Sequence, residues 1–149
     1  MATEKQKLGD WGEKLVAKQV NCPSCKRQNT MKLLPPYFKC ADLICDFCGY
    51  LAQVKTTTSK EIDTLPKTIL GAAWGPQQER MNAGIFFPLF VVVTTKISKE
   101  GSIFFLPADL QIPEMFKTRK PLSSTAKRAG WQGYLIDCDV VRDRFVRLC

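Results

Sequence analysis

Residues 38–57 read FKCADLICDFCGYLAQVKTT and predict two β-strands joined by a tight turn at Cys45-Asp-Phe-Cys48-Gly. Side chains two residues apart on a strand share a face, so Gln53 and Lys55 point the same way. A hairpin brings Asp42 close to both. An acid, an amide oxygen and a lysine gathered in this way are suited to holding a divalent cation and a phosphate.

The hairpin turn also contains the second of two Cys-x-x-Cys motifs. Cys22-Pro-Ser-Cys25 and Cys45-Asp-Phe-Cys48 have the spacing of a tetrahedral zinc site. Four thiolates leave no open position, so the zinc is expected to be structural and to fix the register of the hairpin. Cys40 is close enough in sequence to compete as a ligand, but it lacks the Cys-x-x-Cys spacing of the two motifs, which we call knuckles. As a spare cysteine, it is expected to pack as a small hydrophobic residue.

The composition narrows the possible chemistries. The chain has 149 residues, a formal charge of +8 and no histidine, which excludes Ser-His-Asp and Cys-His catalysis and His-ligated zinc hydrolases. The positive charge favours a polyanionic partner, most often nucleic acid. The length predicts one domain, residues 1–149. The polar N-terminus and the absence of a long apolar run predict a cytoplasmic protein with no membrane partner.

The remaining segments alternate between helix and strand patterns. Residues 3–20 predict a helix with Thr3 as N-cap, and its Gly12 indicates close backbone approach beside Glu13. Glu13 is a candidate site residue because it shortly precedes the first cysteine motif, the alternative being an ordinary solvated helix residue. Residues 68–81 predict a short helix broken by glycines. Residues 85–97 and 102–106 predict buried strands, residues 133–137 a further strand, and residues 139–149 a turn with a closing strand.

Two segments are candidates for nucleic-acid contact. Gln77 and Arg80 suit such a contact on the helix after Pro76, the alternative being an ordinary exposed helix face. Residues 117–131 combine cations, hydroxyls and a tryptophan with no acid, which is typical of a phosphate-facing loop. A core tryptophan beside a solvated loop is the alternative there. The predicted contacts of this loop are Lys120, Ser123, Thr125, Lys127, Arg128 and Trp131.

The pattern Asp42-x(10)-Gln53-x-Lys55 after a helix carrying Glu13 resembles the PD-(D/E)XK nuclease superfamily. The order of Glu13, the two cysteine knuckles, Ala41-Asp42, Gln53-Val-Lys55 and the block KPLSSTAKRAGW at 120–131 is similar to the catalytic domain of the DpnI and Dam-replacing family. The resemblance implies an α/β fold with a mixed central sheet flanked by helices and an inserted four-cysteine zinc site. It also implies a restriction endonuclease that cuts double-stranded DNA at adenine-methylated GATC.

The resemblance further assigns roles to individual residues. Asp42, Gln53 and the carbonyl of Val54 would ligate Mg²⁺ (or Mn²⁺), Lys55 would position the attacking water, and Glu13 would support the site. Gln53 departs from the family pattern, which has Glu, so weaker metal binding is expected. No winged-helix domain follows the core before Cys149, and a separate DNA-reading partner is one expected substitute. The chain is expected to be a monomer or a weak homodimer.

Two other functions remain open at this point. One is a zinc-containing DNA-binding module that kept the nuclease fold without catalysis, which Gln53 favours. The other is a zinc ribbon for protein–protein contacts, which leaves the 120–131 block unexplained.

Overall fold

A computed structural model describes residues 3–35, 41–95, 100–127 and 129–149. The predicted start of the first hairpin strand at Phe38, the spare Cys40 and the predicted loop contact Arg128 lie outside these residues. Within the described ranges, the structure contains no helix with the length and apolar character needed to span a membrane.

The chain opens with helix α1, Glu4–Gln19, which begins as the sequence predicts. The Thr3 side chain accepts a hydrogen bond from the Gln6 N–H, and the Gln6 side chain accepts one from the Thr3 N–H, which forms a capping box. Val16 is fully buried against the main sheet, while the lysines of α1 face solvent. The helix therefore covers one face of that sheet.

The main sheet has six strands, which are β1 Met31–Leu33, β2 Leu43–Cys45, β3 Leu51–Thr58, β5 Leu89–Thr94, β6 Gly101–Leu106 and β9 Val146–Arg147. They lie side by side in the order β1-β2-β3-β5-β6-β9. The predicted hairpin is β2 with β3, and β3 pairs in parallel with β5, so the sheet is mixed as expected. β5 is buried along its whole length because both of its faces are covered.

A second sheet, which the sequence did not predict, covers the other face. It has the order β4-β8-β7, with β4 Thr68–Ala73, β7 Phe116–Thr118 and β8 Gly133–Asp137. The predicted helix over 68–81 is wrong in its first half: residues 68–73 form β4, because pairing with β8 and burial of Ile69 override the local pattern. Its second half is correct, since α2 spans Trp74–Asn82. The expectation of a sheet flanked by helices is therefore met on the α1 face and wrong on the opposite face.

Two apolar layers hold these parts together. Between α1 and the main sheet lie Val16, Val54, Phe90 and Phe105, with the two Phe rings 4.8 Å apart. Between the two sheets lie Leu89, Val91, Met115, Tyr134 and Ile136. Short 3₁₀ turns at Ala108–Leu110, Pro113–Met115 and Asp139–Arg144 complete the described chain.

Candidate active site and metal centre

The four knuckle cysteines form one cluster, as predicted. The Sγ atoms of Cys22, Cys25, Cys45 and Cys48 all lie within 4.8 Å of one another. Cys22 and Cys48 are 3.5 Å apart at sulfur, and Cys25 and Cys45 are 3.7 Å apart. A tetrahedral zinc with Zn–S bonds of about 2.3 Å places its sulfurs about 3.8 Å apart. The donor set and spacing therefore fit a metal ion such as zinc, and within the described residues no other group of metal-binding side chains is as compact.

The two knuckles have the same local geometry. In each, the N–H of the second cysteine points at the sulfur of the first, at 3.5 Å for Cys25 and 3.4 Å for Cys48. The next residue then takes a left-handed conformation, Lys26 at φ 66° and Gly49 at φ 80°. The N–H of this residue donates to the carbonyl of the first cysteine at 2.9 Å in both turns. This repeated turn makes the two thiol pairs converge from opposite sides.

Three hydrogen bonds hold Asp42 in place. Its N–H donates to the Ala52 carbonyl and its own carbonyl accepts from the Leu34 N–H, both at 2.9 Å. Its Oδ2 accepts the Val54 N–H at 2.8 Å. The second carboxylate oxygen accepts no hydrogen bond from the described residues, which leaves it available to a cation.

The described strands leave one edge of β3 unpaired beside Asp42, and we refer to it as the open edge. β2 pairs with β3 only as far as Ala52, and no other described strand pairs with β3 on that side. In a strand, the N–H and the carbonyl of one residue point to the same edge. Because the Val54 N–H points at Asp42, the Val54 carbonyl also faces this edge. The role of metal ligand that was expected for this carbonyl requires that orientation.

Glu13 approaches the same edge from α1. With Asp10 and Asp42 it lines an open cleft of about 370 Å³ between α1 and the segment that follows β1. Burial, followed by the charges of Asp42 and Asp10, raises the pKa of Glu13 to about 7, against a lowering by Lys55. Asp10 was missed in the sequence, although its position three residues before Glu13 on a helix places both on one face.

Gln53 and Lys55 lie on the opposite face of β3 from α1. Gln53 lines a small pocket with Arg80 and Tyr134 between the two sheets. Burial lowers the pKa of Lys55. The negative charges of Asp42 and Glu13 act in the opposite direction, and the positive charge of Arg80 lowers the pKa further. The site thus straddles the open edge, with Glu13 on one side, Lys55 and Arg80 on the other, and Asp42 between them.

One comparison with known proteins identifies the family. The profile of DpnI, the Dam-replacing family, matches residues 2–145 of the chain. The chain belongs to the DpnI (Dam-replacing) family. Membership implies a restriction-type nuclease, whose substrate is DNA. The resemblance read from the cysteine knuckles and the 120–131 block is therefore confirmed at the level of the family.

In this DpnI-family chain, the 120–131 block forms the loop between β7 and β8. The Leu122 N–H donates to the Trp131 carbonyl at 2.8 Å, and the Gly130 N–H donates to the Leu122 carbonyl at 3.0 Å. Lys120, Ser123, Thr125 and Lys127 are all exposed. Trp131 is half-buried, and its ring lies so close to Gly133 that a Cβ there would approach it to 2.9 Å.

The two helix residues predicted to contact nucleic acid differ in position. Gln77 is only 5% exposed, and its Oε1 accepts a hydrogen bond from the Tyr134 hydroxyl at 3.2 Å. This burial argues against both the predicted nucleic-acid contact of Gln77 and the exposed-face alternative, because the side chain supports the sheet below it. Arg80, by contrast, is half-buried beside Gln53 and forms no ion pair with a described residue.

Proposed function

We propose that this chain is a Mg²⁺-dependent DNA endonuclease of the PD-(D/E)XK type, directed to adenine-methylated GATC. The observation that carries the proposal is the Asp42 carboxylate, held at 2.8 Å by the Val54 N–H at the open edge of β3. Family membership supports DNA as the substrate. Zinc at the four cysteines has a structural role in this proposal.

The residues at the edge fit a hard divalent cation. The second carboxylate oxygen of Asp42, the carbonyl of Val54 and the amide oxygen of Gln53 are oxygen donors of the kind that Mg²⁺ prefers, and Mn²⁺ is an accepted substitute. When bound, the cation would polarise the scissile phosphate and lower the pKa of a water molecule.

Protein side chains supply the rest of the chemistry. Lys55 orients the attacking water and stabilises the negative charge that develops on the phosphate oxygens. Glu13 shares the cleft with Asp42 and orients the groups around it. Arg80 adds a second positive charge on the Lys55 side of β3.

The loop between β7 and β8 supports substrate binding. It extends from the strand ends at Thr118 and Tyr134, which pair with each other, and Tyr134 lines the pocket that contains Gln53. The loop that carries the exposed Lys120 and Lys127 therefore begins and ends close to this pocket. Cations there would contact DNA phosphates and fix the position of the duplex.

The first test is cleavage of a plasmid carrying methylated GATC, with Mg²⁺ at matched salt. Lys55→Ala is expected to lower the cleavage rate by roughly 10³-fold, because it removes the positive group nearest the reacting phosphate. Asp42→Asn is expected to do the same while keeping the acceptor for the Val54 N–H. Lys60→Ala, which removes an exposed cation on the loop after β3, is the matched control and should cleave normally.

Zinc content and thermal midpoint check that the Lys55 and Asp42 variants are folded. Full activity of Lys55→Ala would refute the mechanism, and equal cleavage of unmethylated plasmid would refute methylation direction. One further candidate is a DNA-binding module without catalysis, which the uncharged Gln53 favours. Wild-type protein that binds the duplex but cuts neither plasmid, with Mg²⁺ or Mn²⁺, would support that candidate.

A further inference from the structure

The tips of the two cysteine knuckles form an exposed feature outside the proposed active site. The Arg27 guanidinium carbon lies 3.7 Å from the centre of the Phe47 ring, so a cation of the first knuckle stacks on an aromatic ring of the second. Phe47 is 61% exposed, and Arg27 is exposed as well. We refer to Lys26, Arg27 and Phe47 together as the knuckle tip.

The knuckle tip carries two cations, Lys26 and Arg27, that pair with no acidic side chain among the described residues. Residues 22–32 contain Lys26, Arg27 and Lys32 and no acid, while residues 45–50 contain Asp46 alone. Among the described residues, none of these three cations forms an ion pair: Lys26 and Lys32 donate to backbone carbonyls, and Arg27 stacks on Phe47. An exposed Arg whose planar group is oriented by a ring keeps its donors available for an anion.

The tip is also held in a fixed shape. Each knuckle is closed by its own backbone hydrogen bonds, and the Asp46 N–H donates to the Thr30 carbonyl at 2.8 Å, which ties the second knuckle to the first. The four convergent sulfurs lie directly below. A pre-shaped cationic surface loses little conformational entropy on binding, which favours affinity.

The position of the tip relative to Asp42 fits a duplex. Strand β2, Leu43–Cys45, links the two features: Asp42 directly precedes its first residue, and Cys45, the first cysteine of the second knuckle, is its last. A duplex that has its scissile phosphate at Asp42 and runs along β2 would pass close to the tip.

We propose that the knuckle tip is a second DNA contact, in which Arg27, oriented by Phe47, binds a backbone phosphate to one side of the scissile one. This inference rests on the proposed function, since it uses the same bound duplex. It gives the four-cysteine cluster a role in substrate binding in addition to holding the hairpin. Phosphate recognition here fixes the duplex position and carries no base specificity.

The decisive experiment uses wild-type protein and chemically modified duplexes. The cleavage position is mapped first, and single phosphates on each side of it are then replaced by neutral methylphosphonates. Binding is measured without Mg²⁺, so that the duplex stays intact. Replacement of one phosphate, on one side of the cut, is expected to weaken binding about fivefold in wild type and to have no effect in Arg27→Ala.

Salt dependence gives a second readout. Arg27→Ala is expected to reduce the slope of log K against log salt by about 0.9, as for one lost phosphate contact. Arg27→Lys should keep most of the slope but lose affinity, and Phe47→Ala should lose affinity because Arg27 is no longer oriented. Lys60→Ala is the matched charge control and should leave the slope unchanged.

The outcomes separate this inference from the proposed function. A wild-type protein that neither binds nor cuts the duplex would refute the proposed function. A wild-type protein that cuts, but is indifferent to methylphosphonates near the cut and matches Arg27→Ala in affinity and slope, would overturn the knuckle-tip contact alone. Zinc content of each variant shows that the knuckles remain folded.

Discussion

Gln53 is the residue that most affects the charge of the proposed metal site. The resemblance drawn from the sequence implies a carboxylate at this position, whereas the amide oxygen of Gln53 would add no charge to a bound cation. The surroundings of Gln53 nevertheless suit a charged group, because Arg80 lines the same pocket and Lys55 lies on the same face of β3. A carboxylate at this position would have cationic neighbours on the protein even before the metal binds.

We therefore expect Gln53→Glu to lower the Mg²⁺ concentration needed for half-maximal cleavage by about tenfold, equivalent to ~1.4 kcal/mol of metal binding. The reason is the added negative charge at a cation site. The measurement is a Mg²⁺ titration of plasmid cleavage at constant ionic strength. Gln53→Ala is the matched control, and it should need more Mg²⁺ than wild type because it lacks the donor oxygen.

Complete inactivity of a folded Gln53→Glu protein would contradict this role. It would show that the amide N–H₂ group, and not the oxygen, is what the site uses. Unchanged Mg²⁺ dependence in both variants would place Gln53 outside the metal shell.

At the scale of elements, the packing of α1 on β3 sets the position of Glu13. Gly12 is buried where the helix crosses β3, and a Cβ at this residue would collide with the Thr56 hydroxyl. That hydroxyl is buried and has no hydrogen-bond partner among the described residues. The sequence prediction of close approach at Gly12 is therefore confirmed, and the approach leaves one polar atom unsatisfied.

Gly12→Ala is expected to destabilise the protein by about 2 kcal/mol, because the helix must move away from β3. Cleavage should also fall, since Glu13 moves with the helix. Thr56→Ala alone should be close to neutral, because it removes an unsatisfied hydroxyl. Chemical denaturation of the two single variants and the double variant measures the coupling.

The double variant should recover at least part of the lost stability. Strictly additive effects would mean that the two residues do not meet in solution. Gly9→Ala is the matched control, since a Cβ at Gly9 meets nothing within 4 Å and Ala is the better helix former.

At the scale of the whole molecule, three separate segments supply the proposed DNA-binding surface. The open edge of β3 holds the reacting groups, the loop between β7 and β8 holds Lys120 and Lys127, and the knuckle tip holds Arg27. The formal charge of +8 is spread over the chain, so its local arrangement decides binding.

Replacing both Lys120 and Lys127 by Ala is expected to reduce the slope of log K against log salt by about 1.8, as for two lost phosphate contacts. The Michaelis constant for duplex should rise while the maximal rate stays nearly constant, because these cations bind the duplex without contacting the reacting phosphate. Fluorescence anisotropy across a salt series and initial cleavage rates measure the two effects. A fall in maximal rate with unchanged affinity would assign the loop to catalysis.

The sequence alone determined the local features of this protein. The cysteine spacing predicted the Sγ cluster, the alternation around Cys45 and Cys48 predicted the hairpin, and Thr3 predicted the start of α1. Each of these features depends on residues that are close together in the chain, so residue spacing and local backbone geometry are enough to predict it. The order of the motifs also predicted the family, because a block as specific as residues 120–131 is rare.

Only the tertiary structure decided the features that depend on distant partners. Residues 68–73 became a strand because β8 pairs with them, and Gln77 became buried because Tyr134 lies against it. Arg80 reached the Lys55 side of β3, and Arg27 met Phe47, through contacts between segments far apart in sequence. Periodicity and spacing carry no information about such pairs, since the free energy that selects them comes from packing of the two sheets and the two knuckles against each other.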